Sequence, residues 1–151
     1  MASDWNRTYL NFAELISQHS KAEKEKVGCV IVKDGQVIST GYNGTPPGYD
    51  NQCEDIDEVS GKLITKQEVI HAEINAISKV ASSTINSAES TLYVTKPPCY
   101  ECAKAIIMSG IRVVIFKGKM MDAIGSVKFL NNNGVITIPI NIEGNYTDEP
   151  L

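Results

Sequence analysis

The second half of the chain alternates strand-type and helix-type segments at a spacing that leaves few folds open. Thr91-Leu92-Tyr93-Val94-Thr95 is a β-branched and aromatic run. Pro97-Pro98 closes it and opens a helical stretch carrying Ile106, Ile107 and Met108, which Gly110 stops. Val113-Val114-Ile115-Phe116 is the next strand, residues 122–133 a helix ended by Gly134, and Val135-Ile136-Thr137-Ile138 a further strand. Strands separated by helices of this length imply parallel crossovers within one sheet.

The first half supplies the rest of that sheet. Trp5, Tyr9, Phe12, Ala13 and Ile16 recur on one face of a helix that Ser3 is placed to cap. Val27-Gly28-Cys29-Val30-Ile31-Val32 and Val37-Ile38-Ser39-Thr40 flank Asp34-Gly35, a hairpin signal. The first of these runs is apolar almost throughout, which predicts a strand covered on both faces and places Cys29 in the core. Residues 43 to about 68 read as one long loop, and a helix carrying Ile74, Ile77 and Ala81 follows. The expectation is an α/β fold with a single domain over residues 1–140 and a polar, loose tail over 141–151.

Composition narrows the partners. Fourteen basic residues against 18 acidic ones give a net charge of −4, which offers no general attraction to a nucleic acid. No apolar run approaches the roughly 20 residues of a membrane span. Met1-Ala2-Ser3-Asp4-Trp5 lacks a signal pattern, so the expected location is the cytoplasm. Four cysteines are too few and too unevenly placed for a disulfide scaffold, and in a reducing compartment a Cys-x-x-Cys pair points to metal or redox chemistry.

Two segments carry that chemistry: His71-Ala72-Glu73 and Pro98-Cys99-Tyr100-Glu101-Cys102. Cys99 and Cys102, three apart on a helix, project from one side and can grip one ion. With an imidazole they make three ligands, the number of a catalytic zinc site that keeps its fourth position for water. His71 and Glu73, two apart, would diverge inside a regular helix, so the pair requires a helix that begins at His71. Thr65 and Glu68 fit a capping box that starts the helix earlier; the chemistry is the stronger constraint. A thioredoxin-like redox pair fits less well, because the proline precedes Cys99. His-x-Glu with Pro-Cys-x-x-Cys is the zinc deaminase signature, in which the glutamate moves protons and does not bind the metal.

Beyond that core, the chain resembles the deoxycytidylate (dCMP) deaminases of the cytidine deaminase superfamily from about Tyr9 to Ile138. The resemblance is carried by residues 27–32, Gly41-Tyr42-Asn43-Gly44-Thr45-Pro46, His71-Ala72-Glu73-Ile74-Asn75-Ala76-Ile77 and residues 99–107. It implies a three-layer α/β/α cytidine deaminase-like fold, with a five-stranded mixed sheet whose last strands are parallel. It implies hydrolysis of dCMP to dUMP for thymidylate synthesis, with one Zn2+ per chain on His71, Cys99 and Cys102 and with Glu73 as proton shuttle. Asn43 would bond the deoxyribose and the Ala72 backbone the pyrimidine carbonyl. His19, Ser20 and Lys21 stand where relatives carry Arg-Ser-Lys and are the implied phosphate contacts, with one bidentate fork lost. The resemblance also implies a homo-oligomer, a hexamer favoured, activated by dCTP and inhibited by dTTP. Mg2+ would accompany the triphosphate, with Gly41, Tyr42 and Gly44 near the effector. Residues 117–121 lack the family's tyrosine-and-aspartate pattern. Cys53 has no histidine but His19 to complete a second zinc site, so none is expected.

Two other readings stay open. One is a deaminase acting on a free nucleoside, a base or tRNA; the net charge of −4 argues against tRNA. The other is a non-catalytic zinc module that senses nucleotides, whose mark would be a missing proton shuttle.

Overall fold

The computed structural model describes residues 4–141, 143, 145 and 146. Helix α1 (Asp4–Ser17) leads into the hairpin of β1 (Gly28–Lys33) and β2 (Gln36–Tyr42). Asp34 and Gly35 have φ of 51° and 74°, the left-handed pair that a two-residue hairpin turn requires. There follow β3 (Glu54–Ile56), β4 (Leu63–Thr65), α2 (Ala72–Ala81), β5 (Thr91–Val94), α3 (Tyr100–Met108) and β6 (Val113–Lys117). A 3-10 turn (Met120–Ala123) then runs into α4 (Ile124–Asn132), and β7 (Ile136–Ile140) completes the order.

Five strands form one mixed sheet in the order β2-β1-β5-β6-β7. β1 is antiparallel to both neighbours, whereas β5, β6 and β7 are parallel, as the crossover argument requires. Alternation along the strands builds two cores. Cys29, Ile31, Leu92, Val94, Val114 and Phe116 pack with α2, α3 and α4 through Ala76, Val80, Ala103, Ile106, Val127 and Leu130. Val30, Val32, Tyr93 and Ile115 pack on the other face with Leu10 and Ala13 of α1. The result is the three-layer α/β/α arrangement, and β1 is buried on both faces because helices cover both. Full burial of each large apolar chain contributes roughly 1.5–3 kcal/mol, so the central strands anchor whatever their ends carry.

Several expectations change in detail. The loop expected over 43 to about 68 contains the β3–β4 hairpin, whose three-residue, acid-bearing strands are too short to show a period. Its ends meet where Gly44 and Ile70 exchange backbone bonds of 3.1 and 2.8 Å. Thr65 ends β4, so the capping box does not form and α2 begins at Ala72. The last helix is split, its first turn being 3-10. After β7, Asn141 Oδ1 accepts the N–H of Glu143 (3.0 Å) and of Asn145 (2.9 Å), making a closed turn out of part of the expected loose tail. Ser3, the expected cap, and tail positions 142, 144 and 147–151 lie outside the described residues. Among the described residues, no helix is long and apolar enough to cross a membrane.

Candidate active site

Two helix starts build the site. His71 precedes α2 in an extended conformation (φ −67°, ψ 154°), and its side chain makes no capping bond, so the imidazole is left to face away from the helix. Cys99 holds the same position before α3 (φ −75°, ψ 171°), and its Sγ accepts the N–H of Cys102 at 3.5 Å. Cys102, in the first turn, is buried. His71 Nδ1 lies 3.3 Å from Cys102 Sγ and 3.4 Å from Cys99 Sγ. Among the described residues, these three form the one grouping of His, Cys, Asp or Glu able to hold a metal ion, with donor atoms all within 4.8 Å. Tetrahedral zinc, with Zn–N near 2.0–2.1 Å and Zn–S near 2.3 Å, sets nitrogen and sulfur about 3.6 Å apart. The donor set fits. The positive ends of α2 and α3 both lie at the cluster and favour thiolate there.

Glu73 sits one residue into α2 and is 5% exposed. Because His71 is extended rather than helical, the two-residue spacing no longer sends the side chains apart. Burial raises the Glu73 carboxyl above its ordinary pKa, against the opposing pull of its own backbone N–H, Cys102, His71 and Lys96. Burial, and then the charge of Glu73, also push the Cys102 thiol up. A thiolate at this sulfur therefore calls for a cation beside it.

The cluster opens into a cavity of about 170 Å³ whose lining includes Asn43, His71, Ala72, Glu73, Cys99 and the lysines Lys24 and Lys96. Asn43 lines this cavity while tying down its rim: Oδ1 accepts the Val27 N–H at 2.8 Å, and Nδ2 donates to the Glu25 carbonyl at 2.8 Å. Its neighbours do related work. A Cβ on Gly41 would lie 2.4 Å from the Ala72 carbonyl oxygen and 2.6 Å from the Ala76 nitrogen, so only glycine lets α2 approach β2 this closely. The Tyr42 carbonyl accepts Asn75 Nδ2 at 3.0 Å, and Gly44 bridges to Ile70 immediately before His71. Gly41, Tyr42 and Gly44, implied as effector residues, thus make contacts that hold the start of α2.

The three implied phosphate residues lie beside this cavity. The chain turns after α1, with the His19 and Ser20 N–H groups bonded back to Ile16 and Ser17, and carries Ser20 inward. The Ser20 hydroxyl donates to the Asn43 carbonyl at 2.7 Å and accepts the Ala22 N–H at 3.2 Å. The His19 ring lies 6.0 Å from that of Tyr42. Lys21 lines a neighbouring depression with Glu23 and Asp55, which shares Cys53 and Glu54 with the metal-site cavity. None of the three lines the metal-site cavity. Lys24 and Lys96, which do, carry no signal of a site in the sequence: one sits in the charged run of residues 21–26, which reads as a solvated loop, and the other between a strand and two prolines.

An imidazole and two cysteine sulfurs before a buried glutamate, on the starts of two helices packed against a mixed sheet, define a zinc-dependent deaminase. Comparison with known proteins agrees. The family model described as the cytidine and deoxycytidylate deaminase zinc-binding region matches residues 3–117. A deoxycytidylate deaminase of Enterobacteria phage T2 is 35% identical over 146 residues, spanning 72% of this chain and 77% of the relative. The deoxycytidylate deaminase of Homo sapiens is 37% identical over 116 residues, spanning 75% and 64%. Among solved structures, the dCMP deaminase from the cyanophage S-TIM5, in complex with dCMP and dUMP, superposes with a TM-score of 0.82 at 33% identity over 93% of this chain and 99% of that one. The chain belongs to the cytidine and deoxycytidylate deaminase family, and it is a hydrolytic deaminase.

Proposed function

We propose that this protein hydrolyses dCMP to dUMP and ammonia. The observation that carries the reading is the His71, Cys99 and Cys102 cluster facing the buried Glu73 at the floor of an open cavity. The likeness to a dCMP deaminase in complex with dCMP and dUMP supports the choice of substrate. His71, Cys99 and Cys102 would hold Zn2+, which when bound would supply Lewis acidity able to bring the pKa of water from about 15.7 down to about 7.

The remaining chemistry falls to the chain itself. As the water oxygen adds to C4 of the pyrimidine, the Glu73 carboxylate takes a proton and delivers it to N3. Glu73 then takes the proton of the hydroxyl now on C4 and passes it to the exocyclic amine; the C4 carbonyl forms as the C4–N bond breaks and ammonia leaves, so dCMP and water become dUMP and ammonia. Burial of Glu73 suits this role, because a carboxylate whose pKa is raised above its ordinary value by desolvation is a stronger base toward the attacking water than an exposed one. The first N–H groups of a helix lack intrahelical acceptors, so the Ala72 N–H is available to the pyrimidine carbonyl. Asn43 orients the deoxyribose from the cavity wall. The same reading includes dCTP activation and dTTP inhibition near Gly41, Tyr42 and Gly44, Mg2+ with the triphosphate, and a cytoplasmic hexamer; its support is the family likeness.

A substrate panel of dCMP, cytidine, cytosine and a tRNA stem-loop, run with and without dCTP and dTTP, tests the proposal, with dCMP the expected substrate. Glu73→Gln should lower kcat by about 10²–10⁴-fold with zinc retained, the size of a lost general acid–base. Full activity in that variant would remove the mechanism.

A further inference from the structure

We infer that Lys24 and Lys96 hold the 5′-phosphate of the substrate, and that Glu25 is an internal stand-in for that phosphate which the substrate displaces. The inference rests on the reading of this site as a nucleotide deaminase.

Lys24 and Lys96 reach the metal-site cavity from two different segments, the one that enters β1 and the one that joins β5 to α3. Lys96 Nζ lies 2.5 Å from the Glu25 carboxylate, an ion pair joining these two segments across 71 positions of sequence. Both side chains are 51% exposed. An exposed pair contributes little to folding, so exchanging its carboxylate for another anion costs the fold little. A phosphate monoester brings about −1.5 to −2 charge and three acceptor oxygens, against the single charge of Glu25, and a second lysine stands ready to share it.

The rim is built to present Lys24. The Glu54 carboxylate accepts the Glu23 N–H (3.1 and 3.2 Å) and the Lys24 N–H (3.1 Å), and Asn43 fixes Glu25 and Val27 beyond. The Lys24 backbone is therefore tied on both sides while its side chain is exposed. Glu54 lines the same cavity, but two backbone donors already engage its charge. A nucleoside without phosphate leaves the Lys96–Glu25 pair closed and gains nothing from it. The rim thus selects for the monophosphate.

The test is binding of dUMP and of deoxyuridine to the zinc-loaded full chain by calorimetry. Lys24→Ala and Lys96→Ala should each weaken dUMP by about tenfold, the size of one lost charge-assisted hydrogen bond, with deoxyuridine held within about twofold. Lys96→Arg should keep most of the dUMP affinity. Glu25→Gln should tighten dUMP severalfold by freeing Lys96. An unchanged preference for dUMP in both alanine variants, weaker dUMP binding in Glu25→Gln, or a tenfold loss in Lys21→Ala would each overturn the anchor while leaving the deaminase reading intact. A wild-type protein with no preference for dUMP over deoxyuridine would overturn the nucleotide reading itself.

Discussion

The floor of the cavity and its rim are held by different forces. At the floor, His71 and Cys99 occupy extended positions at the starts of α2 and α3, and both helices bury apolar residues against the central strands. Moving a ligand there means moving a helix off the core. At the rim, polar contacts tie residues 23–25: Glu54 to two N–H groups, Asn43 to the Glu25 carbonyl, and the exposed Lys96–Glu25 pair, with Val27 beyond them packed on the core. The groups that must not move for chemistry stand on packed helix starts. The lysines of the rim stand on contacts that can be exchanged one at a time.

That contrast sets the expected size of each perturbation. Cys102→Ser, at the buried end of the cluster, should cost the most, with zinc lost in metal analysis and turnover reduced to background; chelation of the wild-type metal should do the same. Gly41→Ala touches no ligand yet pushes on the Ala72 carbonyl and Ala76 nitrogen. It should destabilise the fold by about 1–3 kcal/mol in denaturant melts and lower kcat through the displaced start of α2. Glu54→Gln should be mildest, with stability changed by no more than about 1 kcal/mol and its effect on turnover carried by KM. A Glu54 effect as large as that of Gly41 would erase the distinction between floor and rim.

The same contrast explains what could be read from the sequence. Strands β1, β5 and β6 and helices α1 to α3 were legible because each carries an apolar run or stripe long enough to show its period. β3 and β4 were not, being three residues each and partly acidic. The cluster of His71, Cys99 and Cys102 was legible because a zinc site restricts residue type and spacing tightly, and that restriction outweighed the capping signal at Thr65 and Glu68. The placement of Ser20 was hidden because it depends on a turn after α1 and on a carbonyl 23 positions away. Lys24 and Lys96 were hidden for the same reason: their meaning arises only when the fold closes one segment over another. Gly41, Tyr42 and Gly44 stood out in the sequence, but their contacts with α2 and Ile70 exist only in three dimensions.

The central claim is a metal centre with three protein donors and a position left for water, and zinc-edge X-ray absorption on the purified protein tests it most directly. The account predicts two sulfur neighbours near about 2.3 Å, one imidazole nitrogen near about 2.0 Å and one further light atom from solvent. A third sulfur, a second imidazole, or a protein with no bound zinc at all would contradict it.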